Sequence, residues 1–226
     1  MLGLIKDRYA RKYNSHVHRL EIAALKAFEP YLFGTVYDLG CGDKPYKEHL
    51  NDLDCDYVGV DWPNSIHSKT ADIACDLNEV FPIDSRVANT VLSTSVMEHL
   101  CEPQSFLHES FRILKEGGYI LIQVPFQWHV HEEPHDYFRF TKYGLEYMLK
   151  KAGFIDVRIE AQSGFWVSWI LKLNYALSKV LRSKAFYPLW AADQAIARFL
   201  DGLSKDESET LGYIAVARKD HGKQGS

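Results

Sequence analysis

The sequence predicts an α/β fold with a doubly wound, mostly parallel, seven-stranded sheet and helices on both faces. Three observations predict it. Short apolar runs alternate with helical patterns from residue 31 to residue 218. The first run ends in a glycine turn, "VYDLGCGD" at 36–43, that leads into a helical pattern. The fifth run, "YILIQVP" at 119–125, is almost wholly apolar, as a central strand covered on both faces should be.

The remaining elements follow in chain order. An N-terminal helical segment is predicted over 1–30, because its helical pattern stops at Pro30. A short helix, "KPYKEHLN", is expected with Asp43 as its N-cap and Pro45 in its first turn. A longer helix, "PQSFLHESFRILKEGG", is expected to close at Gly117. The strands are predicted at TVYDLG, DYVGVD, ADIACDL, NTVLST, YILIQVP, FIDVRIE and TLGYIAVARK, and the last two are expected to pair antiparallel at one edge.

The main domain is predicted over 31–218, with a disordered tail at 219–226 and a helical insertion at 161–209, between the last two strands. Apolar residues at 165, 166, 169, 170, 173, 176, 177, 180 and 181 predict an amphipathic helix whose polar face carries 168, 172, 179 and 182. A second helix, "PLWAADQAIARFLDGL", follows. An apolar face over 165–203 needs a covering partner. We rank a lid or a homodimer interface first, and contact with a membrane surface through Trp166, Trp169 and nearby basic residues second.

Composition excludes several classes of protein. The 226 residues are 46% hydrophobic and 25% charged, as in ordinary globular proteins. A net charge of -4 and a pI near 6.2 do not indicate a nucleic-acid partner. The four isolated cysteines read as reduced thiols, and the N-terminus lacks a signal-peptide pattern. We therefore expect a cytoplasmic protein. If the insertion contacts a membrane, we expect that contact at the inner face of the membrane.

The glycine turn is the most informative stretch. Gly40 and Gly42 follow a strand that ends near Asp38, and ligands of such sheets bind at the carboxyl ends of the strands. Asp61 ends the next strand, nineteen residues after Gly42, where an acid can accept two hydrogen bonds from ribose hydroxyls. Pro45 stands where the dinucleotide fingerprint needs glycine, and Asp38 would repel a pyrophosphate. The pattern favours S-adenosylmethionine, a nucleoside with an ammonium group and no phosphate.

Five segments then resemble the class I S-adenosylmethionine-dependent methyltransferases, in particular a type 11-like group associated with glycan biosynthesis. They are VYDLGCGD, YVGVDW, ACDLNEVFP, VLSTSVMEHL and ESFRILKEGGYILIQVP, which span 36–125. The resemblance implies a Rossmann-like fold and S-adenosyl-L-methionine as cofactor. It also implies that the methionine end is lined by Gly40 and Gly42 and reached by Asp38, that the ribose is bound by Asp61 beside Trp62, and that Asp76, Leu77, Ser93 and Thr94 border the adenine and the sulfonium.

A histidine-rich loop, "QVPFQWHVHEEPHDYFRFT" at 123–141, begins where the fifth strand ends, on the ligand side. Its "EEPHDYFRFT" segment resembles that of methyltransferases encoded with glycan biosynthesis. A hydroxyl acceptor must lose its proton during attack, and a histidine can take it. We predict His131 or His135 as this base, with Asp136 or Glu132 orienting it.

Arg139 in the same loop is predicted to hold an anionic group of the acceptor. The alternative is structural, with Asp136 and Arg139 paired to each other. A zinc-protease motif is excluded because Pro134 lies between His131 and His135 and forbids a regular helix. A metal stays the alternative, because His129 and His131 would share one face of an extended strand. Methyl transfer itself requires no metal, and none is predicted.

These observations predict methyl transfer from S-adenosylmethionine to a small-molecule acceptor, a hydroxyl of a saccharide or of a nucleotide- or lipid-linked sugar. One alternative is a binding protein that keeps the cofactor pocket without catalysis. Another is a methyltransferase for a non-sugar metabolite.

Overall fold

The computed structural model describes residues 15–63, 70–181, 183–204 and 206–220. Its strands are β1 (Thr35–Leu39), β2 (Asp56–Asp61), β3 (Ile73–Ala74), β4 (Ala88–Thr94), β5 (Leu114–Pro125), β6 (Phe154–Ala161) and β7 (Gly212–Lys219). Its α-helices are α1 (Ser15–Phe28), α2 (Lys47–Asp52), α3 (Pro103–Ile113), α4 (Lys142–Lys151), α5 (Phe165–Ser178) and α6 (Tyr187–Leu203). Positions 1–14 of the N-terminal segment and 221–226 of the expected tail lie outside the described residues.

The strands form one seven-stranded sheet in the order β3-β2-β1-β4-β5-β7-β6. β1 pairs in parallel with both β2 and β4, and parallel pairing extends outward to β3 on one side and β5 on the other. The chain therefore winds in opposite directions from β1 and β4, which opens a crevice at their carboxyl ends. The predicted fold class, a mostly parallel Rossmann-like sheet with helices on both sides and a helical insertion before the last strand, is confirmed.

The last two strands run antiparallel, as expected. The Gln162 amide donates to the Gly212 carbonyl at 3.0 Å. The Arg218 guanidinium, six residues after Gly212, binds the Asp156 carboxylate at 2.7 Å. Asp156 lies in β6, six residues before Gln162. Residue numbers rise along one strand as they fall along its partner, so the sheet ends in an antiparallel pair with β6 at the edge.

Two helix boundaries predicted from sequence are wrong. α2 begins at Lys47, with Tyr46 as its N-cap, so Asp43 and Pro45 lie outside it. The turn continues because Lys44 takes a φ of 55° and its amide donates to the Cys41 carbonyl at 2.8 Å.

α3 likewise ends at Ile113, four residues before Gly117, because the chain enters β5 at Leu114. Gly117 lies inside that strand with a φ of 77°, close to where the pairing register with β4 shifts. The third strand is also shorter than predicted, since only Ile73 and Ala74 pair with β2.

The chain divides into two compact units. The sheet unit comprises Phe28–Pro125, His129–Glu160 and Tyr213–Ser226. The helical unit comprises Met1–Ala27, Phe126–Trp128 and Ala161–Gly212. Every residue that lines the cavity described below belongs to the sheet unit.

The helical unit packs α5 and α6 around a small core of Val167, Leu171, Ala197 and Leu211. Asp201 closes the beginning of α5, since its carboxylate accepts hydrogen bonds from the amides of Gly164 and Trp166 at 2.8 and 2.9 Å. A carboxylate at a helix N-terminus stabilises both the free amides and the helix dipole.

The predicted polar face of α5 is wrong at Ser168. Trp166, Trp169 and Leu173, assigned to the apolar face, are 41%, 50% and 49% exposed. Ser168, assigned to the polar face, is fully buried. Burial is tolerated because its hydroxyl donates to the Gly164 carbonyl at 2.9 Å.

Every helix in the described part of the chain is too short or too polar to cross a membrane.

Candidate active site

A cavity of about 570 Å³ lies at the carboxyl ends of β1 to β4. Its walls come from the residues that follow each of these strands and from the loop after β5. They are Gly40, Gly42, Asp61, Trp62, Asp76, Leu77, Asn78, Ser95, Val96, His99, Leu100, Cys101, Glu132, Glu133, His135 and Tyr137. The sheet thus brings together six of the nine predicted cofactor residues, and the loop adds ionisable groups to the same space.

Asp61 ties the ends of β1 and β2 together. One carboxylate oxygen accepts from the Gly42 amide at 2.7 Å, and the other accepts from the Trp62 amide at 2.7 Å. The Gly40 amide donates to the Val60 carbonyl at 2.8 Å. Each carboxylate oxygen keeps acceptor capacity beyond its backbone bond, so Asp61 can also accept from ligand hydroxyls at the cavity wall.

Gly40 can be only glycine in this turn. Its φ is 85°, in the left-handed region, and a Cβ there would lie 2.2 Å from Cγ2 of Val96. The bare backbone therefore forms the cavity wall at the point where a ligand can approach it most closely.

Asp38 lies beneath this turn rather than on the cavity wall. It is 1% exposed, and the Tyr57 hydroxyl donates to its carboxylate at 2.6 Å. Burial raises the pKa of Asp38 to about 7, against the opposing effect of the hydrogen bond from Tyr57. The group therefore changes charge near neutral pH.

Ser93 also lies off the cavity wall. It is buried within β4, and Ser95, two residues further on with a φ of 55°, lines the cavity instead. The chain leaves the sheet at Thr94 and turns into a one-turn 3₁₀ helix, Met97–His99. Sequence analysis did not predict that turn, and so missed Ser95, Val96, Leu100 and Cys101.

The loop at 129–140 is held in place by backbone hydrogen bonds. The Glu98 carbonyl accepts from the amides of Tyr137 and Phe138 at 2.8 and 3.2 Å, and the Pro125 carbonyl accepts from the Phe140 amide at 3.2 Å. Thr141 caps α4 by accepting from the Gly144 amide at 3.1 Å.

Asp136 and Arg139 form an ion pair within this loop. The guanidinium donates to both carboxylate oxygens, at 2.6 and 2.7 Å, and also to the carbonyls of Phe138 and His129. These contacts hold the pKa of Asp136 well below its usual range. Neither side chain lines the cavity, so the pair fixes the shape of the loop, as the structural alternative expected.

The two candidate histidines occupy different positions. His135 lines the cavity, with Nδ1 3.1 Å from the Tyr137 hydroxyl and its ring edge-on to Trp62 at 5.6 Å. His131 does not line the cavity, and its Nδ1 lies 3.3 Å from the Asp136 carboxylate. Asp136 therefore faces His131, and Tyr137 faces His135. Tyr137 follows His135 by two residues, an alternation that sequence analysis could have used.

Comparisons with known proteins agree with this geometry. The family model described as methyltransferase domain (Methyltransf_23) matches residues 7–158, more than half of the chain. Ubiquinone biosynthesis O-methyltransferase of Parvibaculum lavamentivorans is 26% identical over 124 residues, which are 50% of this chain and 48% of that protein. The match thus spans about half of the length of this curated relative.

Solved structures share the fold. Phosphoethanolamine N-methyltransferase 2 of Haemonchus contortus, in complex with S-adenosyl-L-methionine, has a TM-score of 0.60 at 20% identity. The similarity covers 90% of this chain and 53% of that one. A SAM-dependent methyltransferase of Archaeoglobus fulgidus has a TM-score of 0.59 at 19% identity and covers 88% and 94% of the two chains. The chain therefore belongs to the methyltransferase-domain family and has the class I methyltransferase fold.

Proposed function

We propose that this chain transfers a methyl group from S-adenosylmethionine to a hydroxyl of a small acceptor, and that the acceptor is a saccharide or a sugar-linked intermediate. One observation carries the proposal. The loop after β5 places His135 on the same cavity as the glycine turn and Asp61.

The cavity residues suit the cofactor. The backbone of Gly40 lines the cavity where the methionine end would lie, and Asp61 can accept from the two ribose hydroxyls. Trp62 offers an apolar ring for the adenine, with Asp76 and Leu77 at its edge. From beneath, Asp38 attracts the ammonium group and Ser93 packs under the wall. The bound cofactor supplies an activated methyl group, so the chain itself must position the acceptor and accept its proton.

The charge of the walls favours an uncharged acceptor group. Four carboxylic acids line the cavity, namely Asp61, Asp76, Glu132 and Glu133, and none of its lining residues in the described ranges is lysine or arginine. Such walls repel phosphate or carboxylate groups but accept hydrogen bonds from neutral hydroxyls. Any phosphate of a nucleotide- or lipid-linked sugar would therefore stay outside the cavity.

His135 is the proposed base. In the neutral imidazole one ring nitrogen accepts and the other donates, and the Tyr137 hydroxyl at 3.1 Å from Nδ1 can fix the ring's orientation. With the Nδ1–H group donating to the Tyr137 hydroxyl oxygen, Nε2 carries the lone pair and receives the acceptor's proton as the oxygen–methyl bond forms and the sulfur–methyl bond breaks. His131 pairs with Asp136 and does not line the cavity, whereas Glu132 lines the wall with His135.

A methyl-labelled S-adenosylmethionine assay tests the acceptor class. The acceptors are free saccharides, nucleotide sugars, lipid-linked saccharides and quinone precursors. Label should enter a saccharide, and His135→Ala should lower kcat by about 10² to 10⁴ while the cofactor affinity stays the same. His108→Ala, on the exposed side of α3, is the control.

Two results would contradict parts of this proposal. If His135→Ala keeps the kcat of wild type, His135 is not the base. Label in quinone precursors alone would favour the second candidate, a methyltransferase for a non-sugar metabolite, which the O-methyltransferase of ubiquinone biosynthesis among the relatives supports. Cofactor binding without transfer to any acceptor would favour a binding protein.

Cofactor affinity should depend on pH through Asp38. Below pH 7 its buried carboxyl is protonated, because its pKa is raised to about 7. A cationic ammonium group then has to displace that proton, so affinity should fall by up to about tenfold for each pH unit below 7 and level off above it. Titration calorimetry across this window measures the slope. Asp38→Asn should bind the cofactor more weakly, and its affinity should not change with pH. A wild-type affinity that does not change with pH would exclude this role of Asp38.

The exposed side chains of α5 and α6 add a further part to the proposal. Trp166, Trp169 and Leu173 on α5 and Ile196 and Phe199 on α6 are all more than 40% exposed. Lys172 lies over the Trp169 ring at 5.3 Å. We rank a homodimer contact through 165–203 first, with peripheral contact at the inner face of the membrane second.

A further inference from the structure

We propose that Glu98, His99 and His131 form a binding site for a divalent transition-metal ion. One ligand atom from each side chain lies within 4.8 Å of the other two. Two imidazoles and one carboxylate form a donor set that zinc takes at catalytic sites, where a fourth position stays open. This site does not depend on which acceptor the enzyme uses.

Glu98 is the first reason for the proposal. Its carboxyl is 1% exposed, and neither oxygen has a hydrogen-bond partner among the described residues. A buried carboxylate without a partner is costly, and a bound cation is a common way to satisfy it.

His99 is held in the tautomer that a metal needs. Its Nδ1 lies 2.5 Å from the His135 carbonyl oxygen, which can only accept, so Nδ1 carries the proton. The lone pair is therefore on Nε2, which lies 3.9 Å from Glu98 Oε1 and 3.9 Å from Glu132 Oε2.

His131 is held in the same way. Its Nδ1 lies 3.3 Å from the Asp136 carboxylate and 3.2 Å from the His129 carbonyl oxygen. Both neighbours accept hydrogen bonds, so the proton again sits on Nδ1 and the lone pair on Nε2. The ring centroids of His99 and His131 are 4.8 Å apart. Anchoring one ring nitrogen on a carboxylate or a carbonyl is how proteins orient metal-binding histidines.

The remaining geometry leaves room for an exchangeable ligand. At metal–ligand distances of about 2.0–2.2 Å, tetrahedral ligand atoms lie roughly 3.5 Å apart, so the three side chains would close by about 1 Å on loading. His99 also lines the cofactor cavity. The open position can therefore face the cavity and take a water or an acceptor oxygen, and the Glu132 carboxylate lies 3.9 Å from His99 Nε2.

Metal titration of chelator-treated protein tests the site. Cobalt(II) is the first probe, because tetrahedral coordination gives a visible absorption, and zinc is titrated by calorimetry. Wild type should bind one ion per chain. His131→Ala and Glu98→Gln should bind at least about tenfold more weakly, and Asp136→Asn should also weaken binding through His131.

His108→Ala is the matched control and should bind like wild type. Titration of each variant with S-adenosylmethionine checks that the sheet unit is still folded. Absence of binding in wild type, or equal affinity in wild type, His131→Ala and Glu98→Gln, would overturn the site. Because metal alone is the probe, failure of the methyl-transfer assay would leave this result unaffected.

Discussion

Replacing Asp61 with alanine should weaken S-adenosylmethionine binding by roughly 100-fold or more. A hydrogen bond to a charged group contributes about 1.5–3 kcal/mol, and two ribose hydroxyls would bind this carboxylate. Loss of about 3 kcal/mol corresponds to about 100-fold in affinity. The effect should exceed the ribose bonds alone, because Asp61 also fixes the Gly42 amide at 2.7 Å and the Trp62 amide at 2.7 Å.

Titration calorimetry of Asp61→Ala beside Asp56→Asn measures this effect. Asp56 lies at the opposite, exposed end of the same strand, so its change tests for a general effect on β2. Its affinity should match that of wild type. If Asp61→Ala binds within about threefold of wild type, the ribose does not lie at this carboxylate.

Replacing Gly40 with alanine should remove cofactor binding and lower the free energy of unfolding. A non-glycine residue in a left-handed conformation costs about 1–2 kcal/mol, and overpacking typically costs about 1–3 kcal/mol more. Both apply here, because the φ of Gly40 is 85° and the new Cβ would meet Val96 Cγ2 at 2.2 Å. The free energy of unfolding should therefore fall by about 2–5 kcal/mol, as measured by urea unfolding.

Two further variants make this result specific. Gly202 lies in α6, and no atom would lie within 4 Å of a new Cβ there. Gly202→Ala should therefore raise the free energy of unfolding by about 0.5–1 kcal/mol. Gly40→Ala combined with Val96→Ala should recover part of the stability, because the nearest contacts are removed while the backbone strain stays. Unchanged unfolding and cofactor binding in Gly40→Ala would show that the turn is not built as described.

The sheet could be predicted from the sequence because its strands coincide with short runs of apolar residues. β1, β2 and β4 are the clearest cases, and each ends where a cofactor residue or a turn begins. The beginning of α2 could not be predicted, because Lys44 is held by an ion pair with Asp72 at 2.7 Å, twenty-eight residues away. Local capping rules do not contain such a contact.

The faces of α5 show a second limit of sequence patterns. Asn174 is buried because its side-chain amide donates to Asp193 on α6, so a polar residue occupies a core position. Hydrophobicity alone does not contain this hydrogen bond, which joins two helices.

In the site, the glycines and acids at strand ends were found because their spacing follows directly from parallel strand topology. Ser95 and Val96 were missed because they lie in an irregular turn with no periodic pattern. The loop motif identified His131 and His135 but could not show which of them lines the cavity. That depends on the hydrogen bonds from Tyr137 and Phe138 to Glu98, which join segments almost forty residues apart.

The most direct test of the central claim, that the cavity at the carboxyl ends of β1 to β4 is the cofactor site, is a crystal structure with S-adenosylhomocysteine. We expect the ribose hydroxyls on Asp61, the amino-acid end against Gly40 and the sulfur facing His135. A ligand bound elsewhere, or a ribose without contact to Asp61, would contradict it.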